Sequence, residues 1–133
     1  MNGRAVYLDT SAFLKLVVSE PESRPLRQFV SRWPEQCSAS LIRTEAVRAL
    51  RRSGYENRVG IARRLMGGMR LIRVDDVLLD RAGELDPRAL RSLDAIHVAA
   101  ALELTADLGA LVTYDQRLAT AASTAGLRVE APR

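Results

Sequence analysis

Ala5-Val6-Tyr7-Leu8-Asp9-Thr10-Ser11-Ala12-Phe13-Leu14-Lys15-Leu16-Val17-Val18, residues 5–18, sets a four-residue apolar run directly before an acid, two hydroxyls and a helical stretch. The run reads as a short buried strand that ends at Asp9. Thr10 or Ser11 is placed to cap the helix from Ala12 to Val18. The same order returns near the other end of the chain. Ala110 to Thr113 reads as a strand, and Asp115 follows as the cap of a helix running to Ala125, where Gly126 stops it.

Between these two units, strands and helices alternate. Pro21 and Pro25 open a second helix with Leu26, Phe29, Val30 and Trp33 at helical spacing, ended by Pro34. Cys37 to Leu41 predicts a strand, Ile42 to Arg52 a helix, and Tyr55 to Met66 another beyond the Ser53–Gly54 break. Met69 to Val74 predicts a third strand, and Asp75–Asp76 opens a helix to Leu85. Ser92 is placed to cap a long Ala-rich helix ending near Thr105, and Leu127 to Val129 predicts a last strand. Strands alternating with helices point to an α/β fold with a mainly parallel sheet, and residues 1–133 read as a single domain.

Four carboxylates attract notice within this frame. Asp9 and Asp115 lie at strand-to-helix junctions, Asp94 in a first helical turn, and Glu45 on a helix. Ligands of open α/β sheets bind beyond the carboxyl ends of the strands, so these side chains have a common place to meet. A few carboxylates completed by water suit Mg²⁺ or Mn²⁺. Ser11 and Thr113, each two residues from one of the acids, are placed to orient them. Each acid also has an ordinary explanation as a cap, a turn residue or a helix-dipole partner.

The chain is basic, with 20 Lys plus Arg against 16 Asp plus Glu and a pI of about 10. Lys15 is its only lysine, and arginine matches phosphate in a fork that lysine cannot copy. A basic body with carboxylates near its strand ends suits a polyanionic substrate held against a divalent cation. On the helical wheel Arg48 and Arg52 fall near Glu45 and are candidates for guiding the phosphates of such a substrate; a solvated face is the ordinary reading. His97, the only histidine, follows Asp94 by three residues and reads first as a packed structural group, with proton transfer as the alternative. Cys37 stands alone, which excludes an internal disulfide and two-Cys metal motifs and fits a reducing cytoplasm. Asp9 and Lys15 interrupt any signal-peptide core, and no apolar run approaches the roughly 18 residues of a membrane span.

The segments YLDTSAFLKL at 7–16, SLDAIHVAAAL at 92–102 and LVTYDQRLA at 111–119 resemble those of PIN-domain proteins, in particular VapC toxins of toxin–antitoxin pairs. The likeness runs from about Ala5 to Val129 in the expected order. It implies a three-layer α/β/α PIN-like domain and a single-stranded-RNA endonuclease using Mg²⁺ or Mn²⁺. Asp9, Glu45, Asp94 and Asp115 would be its acidic cluster, with Ser11 and Thr113 as polar neighbours. It further implies a VapB-type antitoxin partner and a homodimer. Many proteins of that family carry a further acid after the last motif aspartate; here Gln116, Arg117 and Leu118 follow, which leaves a second ion fewer ligands. The alternative is an RNA- or antitoxin-binding module of the same fold that cleaves weakly or not at all.

Overall fold

The computed structural model describes residues 3–133. Five strands, β1 (Ala5–Leu8), β2 (Glu35–Ala39), β3 (Arg70–Ile72), β4 (Leu108–Val112) and β5 (Val129–Glu130), form one parallel sheet in the order β3-β2-β1-β4-β5. The helices are α1 (Thr10–Val17), α2 (Ser23–Val30), α3 (Ile42–Arg52), α4 (Val59–Gly67), α5 (Asp76–Gly83), α6 (Ser92–Leu102) and α7 (Gln116–Thr124).

β1 explains the layering. Its four residues are all fully buried, as a central strand covered on both faces requires. Successive side chains point to opposite faces. Ala5 and Tyr7 enter a core with residues of α5, α6 and α7. Val6 and Leu8 join a second core with α1 and α2, and Phe13 extends that layer onto α3 and α4. The architecture is therefore α/β/α.

Several boundaries differ from expectation. Asp9, rather than Thr10 or Ser11, caps α1 by accepting from the Ala12 N–H. The short carboxylate reaches the same orphan amide and leaves both hydroxyls free for longer contacts. Arg91, not Ser92, is the N-cap of α6, and it supplies no side-chain cap. α2 ends at Val30, so Trp33 lies beyond it in a tighter turn held by Arg32 N–H to Phe29 O and Trp33 N–H to Val30 O. Pro34 forces the residue before it out of the helical region, and the unwinding spreads back through the last turn. β2 starts two residues early because its polar Glu35 and Gln36 pair with Ala5 and Val6. β5 pairs through Val129 and Glu130 rather than over 127–129. The helix expected from Tyr55 opens as a 3₁₀ turn at Glu56–Arg58 before α4.

The Trp33 ring lies across Gly109 in β4. A Cβ at that glycine would sit 1.9 Å from Trp33 Cζ3 and 2.3 Å from Cη2. Gly109→Ala is accordingly expected to cost about 1–3 kcal/mol by overpacking, seen as a Tm several degrees lower in a thermal melt. Combining it with Trp33→Leu should recover part of the loss; equal loss in the double variant would mean the ring is not the obstacle. Cys37 is buried, and burial pushes its thiol up to about 11, so it serves as core rather than as a reactive group. No helix among the described residues is long and apolar enough to cross a membrane.

Candidate metal centre

β1 and β4 are the sheet's turning point. Chain order runs outward to β2 and β3 on one side and to β5 on the other. The crevice beyond the carboxyl ends of such a strand pair is where α/β folds hold ligands. Leu8 pairs with Val112 as the last rung, and the Asp9 N–H donates to Val112 O at 3.2 Å. Asp9 and the Thr113–Asp115 segment thus leave neighbouring strands side by side.

Asp9 is 3 % exposed and held on both oxygens. Its Oδ1 accepts from Ser11 Oγ at 2.7 Å and Ala12 N–H at 2.9 Å, and its Oδ2 accepts from Thr113 Oγ1 at 2.5 Å. The hydroxyls are themselves fixed: Tyr114 N–H donates to Ser11 Oγ, and Asp115 N–H donates to Thr113 Oγ1, both at 3.0 Å. Ser11 and Thr113 therefore orient the first acid and tie β4's exit loop to it. Burial raises the Asp9 carboxyl above its ordinary range, against the lowering pull of the Thr113, Ala12 and Ser11 bonds.

Asp115 caps α7, its Oδ1 accepting from Arg117 N–H at 2.9 Å and Leu118 N–H at 3.3 Å. Asp94 sits in the first turn of α6, half-buried. Its carboxyl is also raised, first by burial and then by the charge of Asp115. His97 opposes this, and Asp9 and Glu45 add to it. Asp94 thus feels the charge of the other three acids, although the four come from different parts of the chain.

Glu45, in the first turn of α3, is anchored by two groups that local sequence does not connect to it. Thr10 Oγ1 donates to Glu45 Oε1 at 2.6 Å, and His97 Nε2 meets the same oxygen at 2.8 Å. These bonds outweigh burial, which acts the other way, and hold the Glu45 carboxyl below its usual range. Tyr7 Oη lies 2.7 Å from His97 Nδ1. Glu45 accepts, and the Thr10 hydroxyl, 3.2 Å away, already directs its O–H to Glu45. Nε2 must therefore carry the ring's proton whether the imidazole is neutral or charged. Tyr7, buried and held protonated by that burial, donates to Nδ1 of the neutral ring. His97, 2 % exposed, is neither a free base nor mere packing: it clamps one oxygen of Glu45. Thr10 and Tyr7 escaped sequence reading. The i+3 spacing of His97 from Asp94 was the only visible hint of this cluster.

Arg48 and Arg52 are exposed on α3 and pair with no carboxylate among the described residues. The all-oxygen donors fit Mg²⁺ or Mn²⁺, which keep several waters and need only one or two carboxylates. Among the described residues, no three His, Cys, Asp or Glu side chains close into a ready-made cage. The raised acids also suit a cation: a divalent charge would offset the repulsion and desolvation they carry.

A family model for the PIN domain matches residues 6–123. The chain belongs to the PIN-domain family. Within it, the chain is of the VapC type: it is 48 % identical over 128 residues to Ribonuclease VapC46 of Mycobacterium tuberculosis, covering 96 % of this chain and 98 % of that protein. Two solved structures share the fold. One is Mycobacterium tuberculosis VapC20, described as a Sarcin-Ricin loop cleaving toxin (TM-score 0.75, 19 % identity, 96 % of this chain and 99 % of that one). The other is VapBC2 from Rickettsia felis bound to a DNA fragment from their promoter (TM-score 0.71, 13 % identity, 97 % and 99 %). The three-layer PIN architecture expected from the motifs is the one observed.

Proposed function

We propose that this PIN-domain chain is a divalent-metal-dependent endoribonuclease and the toxin of a VapBC-type pair. The observation that carries the reading is the acid edge itself. Asp94 feels the charges of Asp115, Asp9 and Glu45 near the strand ends where the sheet changes direction, in a chain nearly half identical to a named ribonuclease. Asp9 and Asp94 would hold Mg²⁺ or Mn²⁺, with Asp115 and Glu45 completing the set. When bound, the ion would lower the pKa of a water and offset charge on the phosphoryl oxygens. Ser11 and Thr113 fix both oxygens of Asp9 at the end of β1. Glu45, with Oε1 taken by His97 and Thr10, presents Oε2 to orient the water that attacks phosphorus in line. Arg48 and Arg52 would draw the RNA backbone towards the edge.

A VapB-type antitoxin is the partner this reading requires, supported by the VapC relatives and by the VapBC2 structure. A homodimer and a cytoplasmic setting belong to the same proposal. The test is incubation of the purified chain with a mixed pool of single-stranded RNA. Cleavage is expected in Mg²⁺ or Mn²⁺ and should vanish in EDTA. Intact RNA under all metal conditions would leave a binding module of the same fold; cleavage that persists in EDTA would remove the metal from the proposal.

A further inference from the structure

A groove of about 500 Å³ opens between the loop before α6 and the start of α7. Pro87, Ala89 and Leu90 supply its apolar part, and the guanidinium-bearing side chains of Arg91 and Arg117 line it too. Both arginines are exposed, and neither pairs with a carboxylate among the described residues. That is notable beside so many acids, since Arg91 precedes Asp94 by three residues and Arg117 follows Asp115 by two.

The same arginines stand at two helix starts. Arg91 is the N-cap of α6, an eleven-residue helix whose first turn receives no side-chain cap. Its leading amides therefore remain available to an outside acceptor, and its dipole favours an anion there. Arg117 is in the first turn of α7, whose cap, Asp115, is one of the candidate metal ligands. Two unpaired forked donors and an uncapped helix start make the groove complementary to phosphate. Its apolar wall suits the face of a base. Its two sides belong to the segments that carry Asp94 and Asp115, three residues after Arg91 and two before Arg117.

We propose that this groove is the RNA subsite next to the scissile phosphate. Arg91 and Arg117 grip the adjacent backbone phosphates, and Pro87, Ala89 and Leu90 take the neighbouring base. The inference rests on the ribonuclease reading and adds a substrate-holding surface distinct from Arg48 and Arg52.

The experiment is fluorescence anisotropy with a labelled single-stranded RNA oligonucleotide, in Ca²⁺ to slow cleavage. It compares the wild type with Arg91→Ala/Arg117→Ala and Arg91→Lys/Arg117→Lys. Both positions are exposed, so a thermal melt should show both variants folded. The alanine pair is expected to bind roughly tenfold more weakly at low salt. Its dependence of log K on log salt should flatten by about 1.4, two single-strand phosphates' worth. Lysines should restore the slope. Unchanged affinity and slope in the alanine pair would overturn the assignment, as would tighter binding of duplex DNA than of the single strand in the wild type. Cleavage measured in parallel in Mg²⁺ separates the two claims. Arginine-dependent binding without cleavage sinks the reaction and leaves the groove. Cleavage with KM and salt slope unmoved by the alanine pair sinks the groove and leaves the reaction.

Discussion

Asp9→Asn should abolish RNA cleavage while leaving the fold intact. The carboxamide oxygen can still accept from Ala12 N–H and Ser11 Oγ, and its NH₂ can turn towards Thr113 Oγ1, whose hydroxyl rotates to suit. The α1 cap and the tie to β4 both survive. What is lost is the negative charge, in the most buried of the four acids. A loss of at least about 100-fold in cleavage rate is expected, the low end of what removing one transition-state stabiliser costs. Tm should stay level or rise, because burial already disfavours the ionised form. The pairing of the two readouts matters. Lost activity with a collapsed melt would indicate a structural role only, and retained activity would show that Asp9 is no ligand.

Asp94→Asn should do something less usual: stabilise the metal-free protein. The Asp94 carboxyl is raised by burial and by the charges of Asp115, Asp9 and Glu45. A carboxyl raised on folding contributes stability below its unfolded value, about 3.9, and that contribution is lost as pH rises through the folded value. At neutral pH with chelator, ionised Asp94 is therefore a net burden. The expected result in EDTA at neutral pH is a Tm higher by roughly 2 °C than wild type, narrowing as pH falls towards about 4. Added Mg²⁺ or Mn²⁺ should raise the wild-type Tm and move the variant far less, and cleavage should be lost. If the variant melts lower in EDTA and gains as much from the ion as the wild type, Asp94 is not part of the cluster.

The readable parts of this site were the ones built from short sequence separations. Asp9 and Asp115 were visible because a strand end and a helix cap are neighbours in sequence, and Ser11 because it lies two residues from the acid it orients. The cap assignments at Thr10, Ser11 and Ser92 went astray for a local reason. At α1 several short polar residues stood together, and only backbone geometry decides which one meets the orphan amide; at α6 no side chain does. Glu45 was a positional guess. Its anchors are Thr10, 35 residues away, and His97, 52 residues away, and the Tyr7–His97 bond spans 90. No periodicity reports a contact of that range. The seat of Trp33 on Gly109 was hidden in the same way.

By itself, the sequence determined the alternating α/β pattern, the buried first strand and the residue types of a hard-cation site, because hydrophobic period, turn chemistry and charge act over a few residues. Tertiary structure alone decided that β1 and β4 lie side by side, that Asp94 feels Asp115, that His97 clamps Glu45, and that Arg91 and Arg117 share a groove beside them. Those facts depend on strand order and helix packing. They come from burying both faces of one sheet at once, a condition on the whole chain that no short segment contains.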